Sequence, residues 1–307
     1  MEKRLKRSEL YFSLTFLLML IIAIGAFFYG VKVGNEKTES KYAAEAEPKS
    51  ATASPLPNAY QQQDLVSFYH TVFLPYREFQ NAWFEERTLW LNDSTIDRSG
   101  SLKTLAKNAK KKYEAVRKAY VAPSSPLLMD AQTNYLKSLK LFEDGFSSLV
   151  STSNEGTVAD LMDSLDKNTF YKEAQLQALT GQDRYYSAML KWGATVNLDI
   201  PSEYTAPKSI ALAQWNKLPL IIKNKVVADY LFAGRVYSPY LPHDLTARID
   251  QVIRSGQAEK LKLKTVGSIA ELLNGTDAVR SGDFLGLKSR LYDEPLLPLL
   301  PFFSPDK

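Results

Sequence analysis

The sequence predicts an all-α protein: one N-terminal transmembrane helix, an antiparallel four-helix-bundle-like exported domain, and a smaller helical C-terminal region. Three observations predict it. The 22 residues from Leu10 to Val31 carry no charged side chain. Apolar residues between 61 and 196 recur at spacings of three, four and seven. No stretch shows a strong two-residue alternation of the kind a half-buried strand needs.

The elements follow in order. At about 1.5 Å per residue, residues 10–31 reach roughly 33 Å as a helix, enough for a hydrocarbon core of ~30 Å. Lys3, Arg4, Lys6 and Arg7 precede the run. Lysine and arginine stay on the cytoplasmic side, so residues 1–9 are expected inside and the rest of the chain outside. The apolar run exceeds the ~7–15 residues of a signal peptide and closes on Phe27, Phe28 and Tyr29, so it is expected to remain as an uncleaved, single-pass signal-anchor. Residues 32–58 balance four lysines against four glutamates and then turn to Ala, Ser and Pro, the composition of a flexible linker.

Residues 59–200 predict the bundle. Leu65, Val72 and Phe79 repeat every seven residues over 61–91, and Tyr69, Tyr76, Trp83 and Trp90 do the same beside them. Pro75 lacks an amide hydrogen and predicts a kink there. A second helix, 101–120, aligns Leu102, Leu105, Ala109, Tyr113, Val116 and Tyr120. A third, 126–150, starts at Ser125-Pro126 and aligns Leu128, Tyr135, Leu139, Phe142 and Phe146. A fourth runs from a Thr157 cap towards Val196, with an irregularity expected at Gly181. Residues 201–307 predict shorter helices near 209–217, 220–233, 244–255, 266–273 and 277–292, then an extended Pro/Leu/Phe-rich tail. In an up-down bundle this C-terminal region should sit at the end where the first helix starts and the fourth finishes.

Chemistry leaves little trace. There is no cysteine, which excludes disulfides, thiolate metal sites and a cysteine nucleophile. His70 and His243 have no carboxylate or serine at motif spacing. Ser164 and Lys167 match a Ser-x-x-Lys spacing, but the companion motifs are missing and both read as surface. No catalytic residue, metal ligand or cofactor is expected, and a net charge of +4 argues against nucleic acid.

What remains are surfaces. Lys110, Lys111, Lys112, Arg117 and Lys118 form a basic run suited to an anionic lipid or wall polymer. Leu296, Leu299, Phe302 and Phe303 in the tail would, if exposed, mark a partner or bilayer contact. Tyr69, Tyr76, Tyr120, Tyr135, Tyr185 and Trp192 gather at one end of the expected bundle, where they fill core or line a pocket. The expectation is a bacterial, membrane-anchored envelope protein, its bilayer contact being residues 10–31. Its helical domain would serve as a non-enzymatic assembly, scaffold or accessory partner of another protein. The alternatives are a ligand-binding sensory or transport-accessory domain and an envelope hydrolase assembled from distant positions.

Overall fold

The structure, a computed structural model, describes residues 59–304. The expected cytoplasmic segment (1–9), transmembrane helix (10–31) and linker (32–58) lie outside the described residues. Among the described residues no helix is long and apolar enough to cross a membrane. That finding corrects the membrane localisation drawn above, and the single-pass and extracytoplasmic descriptions fall with it. The reason is visible in the longest helix, Thr169–Val196, which carries Lys172, Glu173, Asp183, Arg184 and Lys191.

The described residues are mostly helical and contain no strand, only one isolated bridge between Ala211 and Thr265. The chain enters α1 (Gln62–Phe68), passes through a π turn (Tyr69–Phe73) and continues as α2 (Leu74–Asn92). The disturbance expected at Pro75 takes the form of this π turn. The amide of Leu74 reaches back to the Tyr69 carbonyl, which widens the backbone just where the proline ring would crowd a carbonyl. The heptad seam survives it: Leu65, Val72, Phe79, Tyr76, Trp83 and Trp90 are buried.

Helix α3 (Arg98–Arg117) starts and ends three residues before the expected 101–120. Its first residue, Arg98, is buried and donates to the carbonyls of Ser153 (2.6 Å) and Gly156 (2.9 Å), pinning a distant loop. Helix α4 (Pro126–Leu149) follows Ser125, whose buried hydroxyl accepts from the Tyr60 amide at 3.0 Å. The expected fourth helix is two: α5 (Val158–Lys167) and α6 (Thr169–Val196). Asn168 ends one in an extended conformation and caps the other, its Oδ1 accepting from the Tyr171 amide at 3.0 Å. At Gly181 α6 runs on unbroken. The glycine serves close packing, since a Cβ there would meet the Tyr135 ring at 3.1 Å and the Ala131 carbonyl at 3.2 Å.

Six shorter helices complete the chain: α7 (Leu212–Trp215), α8 (Leu220–Ala233), α9 (Pro242–Arg254), α10 (Gln257–Lys260), α11 (Val266–Gly275) and α12 (Asp283–Leu291). Helix α4 packs against α3 and α6, α2 against α3, and α6 against α8, while α9 is surrounded by α8, α10, α11 and α12. All described residues belong to one compact unit with one continuous apolar core.

The C-terminal region meets α1 and α2 through the loop before α9 and through its tail, at several levels along them. Tyr76 and Tyr237 share a hydroxyl contact at 3.1 Å, Arg77 donates to the Pro239 carbonyl at 2.9 Å and Gln80 to that of Ser238 at 3.0 Å. Nearer the start of α1, Gln62 exchanges two hydrogen bonds with the backbone of Leu299. Buried α2 side chains with unspent polar groups draw this second layer alongside.

Candidate functional site

The tyrosine-rich end is core. Tyr76 and Tyr135 pack at a tilt with ring centroids 4.5 Å apart, Phe73 and Tyr185 at 5.1 Å, and Tyr69 lies 5.5 Å from Phe302. Trp192 is buried too, but Tyr120 is 76% exposed beyond the end of α3 and joins none of them. The space left beside Tyr76 and Tyr135 is about 10 Å³, room for about one water. Three of the buried hydroxyls have protein partners: Tyr76 on Ser138 (3.1 Å), Tyr185 on the Leu65 carbonyl (3.0 Å) and Tyr186 on His243 Nδ1 (2.7 Å), whereas the Tyr135 hydroxyl, beside that small space, has none. Tyr76 and Tyr135 border only that small space, the rings otherwise packing on one another.

The tail docks on its own domain. Leu300 and Phe303 are buried, and Phe302 stacks on His243 with centroids 4.9 Å apart while meeting Tyr69 and Phe73. Lys288 Nζ holds the end through the Phe303 carbonyl (2.8 Å) and the Ser304 hydroxyl (2.9 Å). The prolines do favour an extended path, but it closes in a tight turn at Pro301 to Phe303. Phe303 is therefore no surface contact, Phe302 and Leu296 are half-buried, and Leu299 alone of the four stands out at 73% exposure. On α3, Lys110, Lys111, Arg117 and Lys118 are exposed, whereas Lys112 pairs with Glu78 of α2.

Two polar clusters that no motif announced sit on α9. Asp244 takes the amides of Leu241 (3.0 Å), Gly282 (3.1 Å) and Phe284 (3.0 Å), tying the start of α12 to the start of α9. Its neighbour His243 is sealed between Tyr186, Phe284, Phe302 and Phe303. Burial pushes the imidazole down to about 4, with Arg77 adding to the effect and Asp244 opposing it. Nearly two turns on, Asp250 accepts from Trp215 Nε1 (2.6 Å), Lys223 Nζ (2.9 and 3.1 Å) and the Tyr292 hydroxyl (2.7 Å). Both clusters are closed: their lone pairs are spent on protein donors. Among the described residues no group of three or more His, Asp or Glu could hold a metal ion.

Open, substantial space of mixed polarity occurs between α8 and α11. The segment 206–210 is strapped across the start of α11, the Val266 amide donating to the Ile210 carbonyl at 3.0 Å beside the Ala211–Thr265 bridge. The strap and the two helices enclose a cleft of about 440 Å³. Ile210, Val226, Val227, Ile249 and Ala270 make an apolar floor, and Lys208, Asp229, Tyr230 and Glu271 carry polar groups around it. Behind Asp229, Lys225 bridges it to Asp183 of α6, with Nζ 3.0 Å from Asp183 Oδ1. Burial, reinforced by Asp183 and opposed by Lys225, pushes the Asp229 carboxyl up to about 7.

His243 makes a pH signature. Its folded-state value lies below that of the unfolded chain, so acid protonates the unfolded chain first. The group's contribution is whole above about pH 6.5 and falls by about 3 kcal/mol as pH drops towards 4. Asp229 has the opposite slope, its contribution being lost as pH rises through about 7. Urea midpoints of wild type and His243→Gln at about pH 4.5 and about pH 7.5 separate the two, since Asp229 is common to both proteins. The wild type should lose more stability in acid than the variant; equal losses would remove the His243 contribution.

No family model, curated protein or solved structure shows significant similarity to this chain.

Proposed function

We propose that the chain is a non-enzymatic helical binding protein whose ligand occupies the cleft between α8 and α11. The observation that carries the reading is the cleft's size and lining. At about 440 Å³, with an apolar floor and few polar groups, it falls in the range of small-molecule sites. In this reading the long helices α1–α2, α3, α4 and α6 form an antiparallel bundle that acts as a rigid support.

Gly267 supplies the test. It lines the cleft, and a Cβ there meets only Thr265 Oγ1, at 4.0 Å, so a larger side chain enters open space without disturbing the core. Apolar fluorescent probes should bind the full-length chain with one-site stoichiometry. Gly267→Phe should abolish that binding at unchanged thermal stability. Binding that persists in the variant puts the probe elsewhere and sinks the reading.

A second reading, assembly with a protein partner, is favoured by the end of α2. Leu89 and Leu91 are exposed at 50% and 62% beside Phe84 and Pro239 in an open trough. An anionic polymer on the basic face of α3 belongs to the same reading. Leu89→Asp with Leu91→Asp would weaken such an assembly and leave cleft binding intact.

A further inference from the structure

We infer that the ligand of this cleft is an organic cation, an amine on a compact apolar body; the inference rests on the cleft reading above. Three formally charged side chains line the space. Asp229 stands on the α8 wall and Glu271 on the α11 wall, against the single ammonium of Lys208 on the strap. Lys208 and Glu271 are both exposed at the rim, where water screens them, so Asp229 carries most of the charge that a ligand meets. Asp229 is only partly exposed. Behind it, two carboxylates share one close ammonium: Lys225 contacts both Asp183 and Asp229, and Arg184, itself 45% exposed, stands 3.9 Å from Asp183. Asp229 and Asp183 also share a hydrogen bond, so once Asp229 is ionised the pair holds one negative charge more than Lys225 balances, and an ammonium in the cleft supplies the second cation. Tyr230 in the same wall adds an aromatic surface that suits a cation.

Two competing occupants are disfavoured by the same wall. An anion would seek the start of α11, where helix amides point outward. Those donors are largely spent, because the Val266 amide bonds the Ile210 carbonyl and the Ser268 amide bonds Thr265 Oγ1 at 3.2 Å. A small hydrated metal ion finds no group of three ligating side chains here among the described residues and would forfeit the apolar floor. An alkyl or aryl amine uses both parts of the site.

The proton balance adds a signature. With its carboxyl near 7, Asp229 is partly protonated at neutral pH, and pairing with an ammonium drives that proton off. Binding should tighten as pH rises through about 7 and level off above it. The charged groups bearing on Asp229 are Asp183 and Arg184 from α6 and Lys225 from α8, with Glu271 and Lys208 across the cleft.

Hexylammonium, hexanol and hexanoate share one apolar body and differ in charge, so titration calorimetry of the full-length chain with all three isolates the head group. Hexylammonium should bind about tenfold or more tighter than hexanol, and hexanoate weakest. Asp229→Asn should erase most of the ammonium advantage and its pH dependence while leaving hexanol unchanged, with Glu271→Gln as a second, more exposed probe. Hexanol or hexanoate binding as tightly as the ammonium, or an ammonium advantage that survives both substitutions, overturns the inference. If none of the three binds but the probe blocked by Gly267→Phe does, the cation inference fails and the cleft reading stands. If nothing binds at the cleft, both fail.

Discussion

A chain ending before Pro295 is expected to lose roughly 5 kcal/mol or more of stability, because deleting one large buried side chain alone costs about 2–5 kcal/mol. Here two fully buried residues go, Leu300 and Phe303, together with Phe302. The loss also uncovers Tyr69, Phe73 and His243, against which Phe302 rests. The Gln62 and Lys288 hydrogen bonds that clamp the tail disappear as well. Urea unfolding of the truncated chain measures the loss, and Phe303→Ala gives a milder version should the truncation be too unstable to handle. A midpoint unchanged in Phe303→Ala would mean the tail is only laid on the surface.

Lys223→Met is expected to cost about 3–5 kcal/mol, the penalty for leaving a buried carboxylate without its cation. Asp250 would keep Trp215 and Tyr292 as donors, but both are neutral. The methionine nearly matches the lysine stem in volume, so packing over Trp215 changes little, and the loss reports charge. Adding Asp250→Asn should recover much of it, because the two sites share one network and their effects do not add. A single variant within about 1 kcal/mol of wild type, the scale of an exposed pair, would show that Asp250 is already relieved by solvent.

Much of the helical layout is legible in the sequence because burial imposes periodicity. Leu65, Val72 and Phe79 had to lie on one face, and they do. Breaks without a glycine or proline are harder to see. Neither residue type occurs between Val158 and Gln177, so the stop at Asn168 is marked only by its capping side chain. Arg98 hides the start of α3 for a different reason. A charged residue reads as solvent-facing, yet its cation is spent on two loop carbonyls far along the chain.

The sites were less legible still. Ring spacing brought Tyr76, Tyr135 and Tyr185 together correctly but could not say whether space remained between them. That depends on atomic packing, and about 10 Å³ does. Composition singled out the tail, and burial of Leu300 and Phe303 shows that most of its apolar surface is turned inward, with Leu299 left in water. The cleft had no signal at all. It depends on one backbone bridge, Ala211 to Thr265, and on a Lys225–Asp183 contact between helices whose sequence patterns are independent.

The clamp between Gln62 and Leu299 has a consequence for how the chain is made. The tail is synthesised after every element it covers, including α1 and the π turn at the opposite end of the described residues, which Leu299 and Phe302 reach. On the ribosome, α1 to α6 can therefore assemble early through contacts between successive helices, while the imidazole of His243 and the rings of Phe73 and Tyr185 wait uncovered. Closure joins segments far apart in sequence, the class of contact that forms slowly. A nascent chain stalled within α12 would display an aromatic surface that the finished protein conceals, a ready target for chaperones and proteases.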